Sequence, residues 1–198
     1  MMPKRRSSRL GALVRDLIEA VVLAAVLFLV LQFALQNTIV EGASMEPNFV
    51  DRQWLLVNKL AYRLGEPQRG DVIVFHAPDQ PDKDFIKRVI ALPGETVTLR
   101  SGRVNIDGQD LGEPWQPWHD ESAYGPYEVP ENQYFVLGDN RPRSNDSRTW
   151  NGAGGALEAE RIVGKAWLSV WPRETWAVVA TDGPGPARSL AEPAAAAP

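Results

Sequence analysis

One serine stands where it could act as a nucleophile. Ser44 lies in the stretch GASMEPNF, residues 42–49, a few residues after a long apolar run. A serine hydroxyl attacks a carbonyl efficiently only when a nearby base removes its proton. Ser44 is therefore either a turn residue where the chain leaves a membrane or a nucleophile, and the choice depends on the available base.

Histidine is the usual base, and the chain contains only His76 and His119. His76 directly follows the strand-like run DVIVF, and His119 lies in PWQPWHD, a Trp- and Pro-rich stretch typical of a loop. Nothing in either neighbourhood connects the histidine to Ser44. Both are expected to be surface residues, and a Ser-His-Asp triad remains the alternative.

Lysine can replace histidine as a base when burial lowers its pKa. Lys87 lies inside the apolar run FIKRVIAL, and a strand would place Lys87 and Arg88 on opposite apolar faces. Arginine stays charged in proteins, so Lys87 is the residue of this run that desolvation could convert into a base. The structural alternative is a lysine on an edge strand whose amine reaches solvent.

A polar loop supplies a third group of candidates. GDNRPRSNDSR, residues 138–148, follows the strand-like run YFVL and contains alternating opposite charges and two serines. Asp139, Arg141, Asp146 and Arg148 can hold one another in place. Taken alone, this composition is typical of a rigid polar loop.

These residues follow an apolar segment long enough to cross a membrane. From Leu17 to Leu35 the run is interrupted only by Glu19 and Gln32, and about 20 helical residues span the roughly 30 Å hydrocarbon layer. Basic residues precede the run and acidic residues follow it, which predicts a cytoplasmic N-terminus. The alternatives are a cleavable signal peptide and a buried helix of a soluble protein.

Beyond Asn37 the pattern predicts an all-β domain of antiparallel sheets. Short runs rich in β-branched and aromatic residues alternate with Gly, Pro, Asp and Asn, and Asp107-Gly108 is expected at the tip of a hairpin. NKLAYRL is expected to form at most a short turn of helix. The predicted organisation is a basic cytoplasmic arm (1–15), a transmembrane helix (16–36), a β-rich domain (37–180) and a disordered Pro/Ala-rich tail (181–198).

Composition narrows the function classes. The net charge of −4 argues against a nucleic-acid-binding protein. The chain has no cysteine, which excludes disulfides, thiolate metal sites and cysteine catalysis. We expect neither a metal nor another cofactor.

Four sequence boxes, in order, resemble bacterial type I signal peptidase. They are GASMEP after the anchor, RGDVIVF, FIKRVIALPGE and GDNRPRSNDSR. That family consists of membrane-anchored serine endopeptidases with a Ser-Lys dyad. The resemblance implies that Ser44 is the nucleophile, that Lys87 is the general base, and that Ser144 hydrogen-bonds and orients the Lys87 amine. It implies that Asp146 and Arg148 form an ion pair that holds the loop.

The chain departs from the family pattern at two positions of the serine box. Asn48 stands where the family often has threonine, and Gly42 stands where some members have a second oxyanion donor. The oxyanion hole would then rest on the Ser44 backbone N–H and a second donor that the sequence does not identify. Ile39, Val40 and Ile86 flank the catalytic residues and are candidate walls of the substrate pocket.

The resemblance also implies substrate, partner and location. The substrates would be secreted preproteins whose signal peptides carry small residues at positions −1 and −3. The enzyme would be a single-pass protein of the cell membrane, with its catalytic domain on the extracytoplasmic side and Trp54 either at the lipid interface or in the core. Two rivals are another Ser-Lys protease, such as a self-cleaving repressor, and a catalytically silent anchored β-domain that binds proteins.

Overall fold

A long apolar helix leads directly into a domain of β-strands. The computed structural model describes residues 6–63, 65–150 and 154–182. Helix α1 spans Arg6–Ala34. The strands are β1 Leu35–Ile39, β2 Trp54–Asn58, β3 Val72–His76, β4 Asp84–Ala91, β5 Thr96–Arg100, β6 Arg103–Ile106, β7 Gln109–Asp110, β8 Tyr124–Glu128, β9 Gln133–Leu137, β10 Leu157–Glu158, β11 Ile162–Trp171 and β12 Ala177–Val178.

Helix α1 carries the apolar run with its side chains exposed. Gly11–Ala34 is long and apolar enough to cross a membrane, with a mean hydropathy of 2.6, and none of it is buried against the domain. The alternative of a buried helix in a soluble protein is therefore wrong. The helix begins at Arg6 rather than at residue 16. It ends two residues before the expected position 36, because Leu35 and Gln36 pair with β2.

The strands form two antiparallel sheets. The larger sheet has the order β1-β2-β11-β3-β4-β9-β10, with β12 beside β11. The smaller sheet has the order β7-β6-β5-β8. Every strand pairing within them is antiparallel. The prediction of an all-β domain with one N-terminal apolar helix is confirmed.

Most strong sequence signals correspond to observed elements. Seven predicted runs overlap β2, β3, β4, β5, β6, β9 and β11 in that order: QWLLVN, DVIVF, DFIKRVIAL, TVTL, RVNI, YFVLG and AWLSVW. Asp107 and Gly108 both have positive φ, 50° and 82°, at the tip of the β6–β7 hairpin, as a type I′ turn requires. The sequence did not indicate β1, β8, β10 or β12. The predicted tail, from residue 183 onward, lies outside the described residues.

A buried ion pair connects the larger sheet to the polar loop. Arg88 on β4 donates two hydrogen bonds to Asp139, at 2.9 and 2.7 Å, and a third to the carbonyl of Gly70. Both side chains are almost inaccessible to solvent. A buried charge is tolerated only when it is paired and hydrogen-bonded, so each of these residues depends on the other.

We expect Asp139→Asn to lower the free energy of unfolding by about 3–5 kcal/mol, because the Arg88 charge stays buried without its counter-ion. Asp110→Asn is the matched control, since Asp110 pairs with Arg103 at 3.7 Å on the surface. The control should change stability by less than about 1 kcal/mol. Urea unfolding of the full chain in detergent, followed by tryptophan fluorescence, measures both. Equal losses in the two variants would contradict this account.

Candidate active site

The candidate nucleophile lies in a tight turn between β1 and β2. The turn is fixed to the core of the domain, because Val40, Met45 and Phe49 are buried in one apolar cluster with residues of β2 and β3. Gly42 has a φ of +82°, which favours glycine, and its N–H donates to the Asp51 carboxylate at 2.8 Å. Ser44 itself remains partly exposed at the surface of this anchored turn.

The candidate base projects from β4 toward this turn. Lys87 lies opposite Ile73 of β3 and is only 3% exposed. Its Nζ lies 2.9 Å from Ser44 Oγ and also donates to the carbonyl oxygen of Ile86 at 2.9 Å. The structure thus brings together two residues 43 positions apart in the sequence, at a distance suited to proton transfer. The alternative of a lysine whose amine reaches solvent is wrong.

Burial makes this amine easier to deprotonate than an ordinary lysine. Desolvation lowers the pKa of Lys87 from 10.5 to about 8, against the opposing effects of the Asp146 and Asp139 carboxylates. Each of those carboxylates already has an arginine partner. A neutral fraction of Lys87 is therefore available near physiological pH, which is the state that a general base requires.

The polar loop fixes the serine turn through backbone and side-chain hydrogen bonds. The N–H of Asn140 donates to the carbonyl of Ser44 at 2.9 Å. Asn48, which is fully buried, donates to Asp139 and to the carbonyl of Trp115, both at 2.8 Å. The sequence marked Asn48 only as a departure from the family pattern. Its amide, which can donate twice, connects the serine box to the GDNR turn.

Asp146 and Arg148 form the ion pair that the resemblance implied. Arg148 donates to the two Asp146 oxygens at 2.8 and 3.0 Å, and it also bonds Asp120 and the carbonyl of Arg141. Asp146 in turn accepts the N–H of Gly138 at 3.1 Å. These hydrogen bonds connect the two ends of the loop, so the loop presents a fixed surface to the serine turn.

Ser144 does not make the hydrogen bond to Lys87 that the sequence predicted. Its hydroxyl oxygen is buried and has no hydrogen-bond partner among the described residues. The side chain packs against Gly138, where an added Cβ would lie 2.2 Å from Ser144 Oγ and 2.5 Å from the Ser44 carbonyl oxygen. Ser144 therefore lies next to the serine turn, while the Lys87 amine is bonded to Ser44 and Ile86.

An open cleft of about 540 Å³ leads to Ser44 and Lys87. Ile39 and Ile86 line it, as does Phe85, whose ring centroid lies 5.2 Å from the Lys87 amine. Val40 does not line it. As the first residue after β1, Val40 turns into the core and is 1% exposed. The segment that precedes β4 forms another wall, with residues Gln80, Asp82 and Lys83.

Neither histidine is placed to act on the serine. His76 pairs with Asp84 at 2.8 Å on the exposed end of β3. The Nδ1 atom of His119 lies 3.1 Å from the carbonyl oxygen of Gly102, in the turn between β5 and β6 of the smaller sheet. The alternative of a Ser-His-Asp triad is wrong for Ser44.

The Ser44 backbone N–H is available for an oxyanion, because it makes no hydrogen bond within the described part of the chain. The Gly42 N–H is already used by Asp51. Within the described part of the chain, the N–H groups of Ala43 and Met45 likewise make no hydrogen bond, so the serine turn carries more than one free donor beside the nucleophile.

Comparison with known proteins now identifies the family. The family model described as signal peptidase, peptidase S26, matches residues 14–171. Signal peptidase I of Bacillus licheniformis is 35% identical over 166 residues, which cover 78% of this chain and 87% of that protein. The chain belongs to the peptidase S26 family of signal peptidases.

Two further relatives of this signal peptidase also carry the name of probable signal peptidases. Probable signal peptidase I-1 of Synechocystis is 36% identical over 185 residues, covering 89% of this chain and 92% of that protein. Probable signal peptidase I-2 of the same organism is 37% identical over 145 residues, covering 71% of this chain and 65% of that protein. A crystal structure of signal peptidase I from Enterococcus faecalis covers 50% of this chain and 96% of its own, at 34% identity and a TM-score of 0.43.

The lowered pKa of Lys87 predicts how the stability of this signal peptidase depends on pH. Between pH 8 and 10.5 the unfolded chain binds the proton that the folded chain releases, so the free energy of unfolding rises with pH in this window. Below about pH 8 the folded protein carries a buried charge that the unfolded state keeps solvated.

We therefore expect Lys87→Met to be more stable than the parent at pH 7, by up to about 3 kcal/mol. The difference should shrink as the pH rises toward 10.5, where both states release the proton. Urea unfolding of both proteins at several pH values measures it. A constant difference across the whole window would contradict the lowered pKa.

Proposed function

We propose that this signal peptidase removes signal peptides from secreted preproteins with a Ser44–Lys87 dyad. The observation that carries the proposal is the 2.9 Å contact between Ser44 Oγ and the Nζ of a lysine that is 3% exposed. A domain that only binds proteins has no use for a lysine whose desolvation disfavours the folded state. That cost is expected where a base is needed at neutral pH.

The first step is proton transfer within the dyad. When Lys87 is neutral, the Ser44 hydroxyl donates to the amine lone pair across the same 2.9 Å contact. The amine keeps its orientation by donating to the Ile86 carbonyl. Ser44 Oγ then attacks the scissile carbonyl as Lys87 takes the proton, and an acyl-enzyme forms when the leaving amine receives that proton.

The remaining steps use the same two groups. The free Ser44 N–H stabilises the charge that develops on the carbonyl oxygen, and removal of such a donor typically raises the barrier by about 2.7–4 kcal/mol. After the leaving peptide departs, neutral Lys87 activates a water molecule that hydrolyses the acyl-enzyme. Bound substrate excludes bulk water from the cleft and keeps the amine desolvated.

The polar loop serves as a support for this chemistry. Asn140 holds the Ser44 carbonyl, and the Asp146–Arg148 pair holds the loop that presents Asn140. We assign to Ser144 the orientation of the amine during the reaction. Its buried hydroxyl makes no hydrogen bond within the described residues, and Gly138 lies against both this hydroxyl and the carbonyl of Ser44.

The proposed substrate ends in small residues at −1 and −3, because the apolar lining of the cleft at Ile39 and Ile86 excludes larger side chains. We propose that α1 remains in the membrane as an uncleaved anchor, with the N-terminus cytoplasmic and the catalytic domain outside. This arrangement confines the site to the surface where signal peptides emerge and raises their effective concentration.

We expect Ser44→Ala and Lys87→Ala each to lower kcat/KM for a preprotein roughly 10⁴-fold or more, since each removes a group that the reaction cannot replace. The assay uses the full chain in detergent, a preprotein with small residues at −1 and −3, and circular dichroism to establish folding. The parent's kcat/KM should rise with pH and reach half its maximum near pH 8. His76→Ala and His119→Ala should retain activity. Activity in either dyad variant, or its loss in a histidine variant, would refute the dyad.

We expect Ser144→Ala to leave the free energy of unfolding unchanged or to raise it by about 1 kcal/mol, because it removes a buried hydroxyl without a partner. The same variant should lower kcat about 10²-fold through a misaligned amine. It should also shift the rising, acid-side limb of the kcat/KM profile to higher pH.

Ser147→Ala is the matched control, because the buried Ser147 hydroxyl accepts the N–H of Val136 at 3.0 Å. Ser147→Ala should therefore lower the free energy of unfolding by about 1–3 kcal/mol. The assignment of Ser144 fails if its variant behaves like the control in unfolding and keeps the parent's pH profile.

A further inference from the structure

We propose that Lys59 and Arg63 bind the phosphate group of a membrane phospholipid at the outer end of α1. Nothing in the peptidase reaction uses these two residues, which lie outside the cleft of Ser44 and Lys87. The inference rests on the proposed function in one respect only, namely that α1 spans the membrane.

The two cations converge on one ring of the helix. The Lys59 amine lies 5.9 Å from the ring centroid of Phe33, and the Arg63 guanidinium lies 4.9 Å from the same centroid. The Lys59 N–H donates to the carbonyl oxygen of Ala34, the last residue of α1, at 2.8 Å. This bond fixes the segment after β2 against the end of the helix, so the position of the cations relative to the apolar segment is built into the fold.

Neither cation has a carboxylate partner in the part of the chain that the structure describes. Within residues 6–63, 65–150 and 154–182, no Asp or Glu oxygen lies within ion-pair distance of Lys59 or Arg63. Other partly buried cations of the domain are paired, for example Arg69 with Glu95 and Lys165 with Asp71. Two cations on one aromatic ring, with no carboxylate partner among the described residues, form a site for an anion.

The cations open onto a cleft that accommodates a headgroup. Its volume is about 430 Å³, and Phe33, Lys59, Tyr62, Arg63 and Asn132 line it together with the carboxylates of Glu66 and Glu160. The carboxylates disfavour a multiply charged anion in the same cleft. A phosphodiester, which carries a single negative charge, therefore suits the site better than a dissolved phosphate monoester or inorganic phosphate.

The level of the site relative to the membrane identifies the phosphodiester as a lipid. The spanning segment ends at Ala34, and roughly 20 residues before it fill the hydrocarbon layer. Phe33, a residue that is 59% exposed, is therefore at the outer boundary of the hydrocarbon. Lys59 and Arg63 lie beside that ring, which is the depth of the phosphate groups of the outer leaflet.

The test measures contact between lipid and protein directly. The full chain is reconstituted in nanodiscs of phosphatidylcholine with a small fraction of phosphatidylglycerol that carries a photoreactive acyl chain. The yield of labelled protein is compared for the parent, for the double variant K59Q/R63Q, and for R100Q/R103Q. The last variant removes two exposed positive charges from the β5–β6 hairpin and is matched in charge. A diacylglycerol with the same photoreactive chain but no phosphate is the second probe.

We expect the phosphatidylglycerol label to fall about fivefold for each cation removed, and about 25-fold in K59Q/R63Q, with no change in R100Q/R103Q. The diacylglycerol probe should label the parent and K59Q/R63Q equally. Added inorganic phosphate should leave the parent's labelling unchanged.

Three results would overturn the site. Equal phosphatidylglycerol labelling of the parent and K59Q/R63Q would show that the cations do not hold the headgroup. Labelling of the parent by diacylglycerol that is as strong as its labelling by phosphatidylglycerol would show apolar contact alone. Displacement by inorganic phosphate would show a site for a dissolved anion. Alkaline extraction of membranes separates this failure from that of the anchor. An extracted parent overturns both the anchor and the site, whereas a retained parent with cation-independent labelling overturns the site alone.

Discussion

The structure depends on keeping one lysine amine out of water while it contacts a serine hydroxyl. Lys87 must be buried for its pKa to approach neutrality, and burial is unfavourable for the charged form that would otherwise predominate. Three segments distant in sequence enclose it: the middle of β4, the turn that contains Ser44, and the polar loop 138–148. Their mutual hydrogen bonds make the exclusion of water a property of the fold rather than of one side chain.

Adjacent residues on β4 show two solutions to the burial of a cation. The alternation of the strand directs Lys87 and Arg88 to opposite sides, and both are buried. Arg88 keeps its charge because Asp139 and the Gly70 carbonyl satisfy it. Among the described residues, the Lys87 amine contacts Ser44 and the Ile86 carbonyl but no carboxylate, so its proton is weakly held. The strand therefore places a permanent charge and a titratable amine on either side of one sheet, each in an environment suited to its task.

Much of this arrangement could be predicted from the sequence. The apolar helix, β4 and the hairpin with Asp107-Gly108 follow from local patterns of hydropathy and turn residues. The Ser44–Lys87 pairing followed from the order of the four boxes, since no local pattern relates positions 43 residues apart. The strand β1, with the sequence LQNTI, was missed because it directly follows the apolar run and three of its five residues are polar. Only its pairing with β2 shows that it is a strand. The buried hydrogen bonds of Asn48 and the position of Ser144 beside the serine turn could not be predicted from the sequence, because they depend on which atoms of distant segments lie beside them.

The absence of a linker between α1 and β1 has a further consequence. Ala34 ends the helix, Leu35 begins a strand paired along its whole length with β2, and Ser44 follows ten positions after the helix end. The turn that carries Ser44 is thus joined to helix α1 through a paired strand and four further residues. Under the proposed function, this short connection would set the height above the bilayer at which a peptide bond is cut. The cleavage position would then be selected by distance from the membrane as well as by the side chains of the substrate.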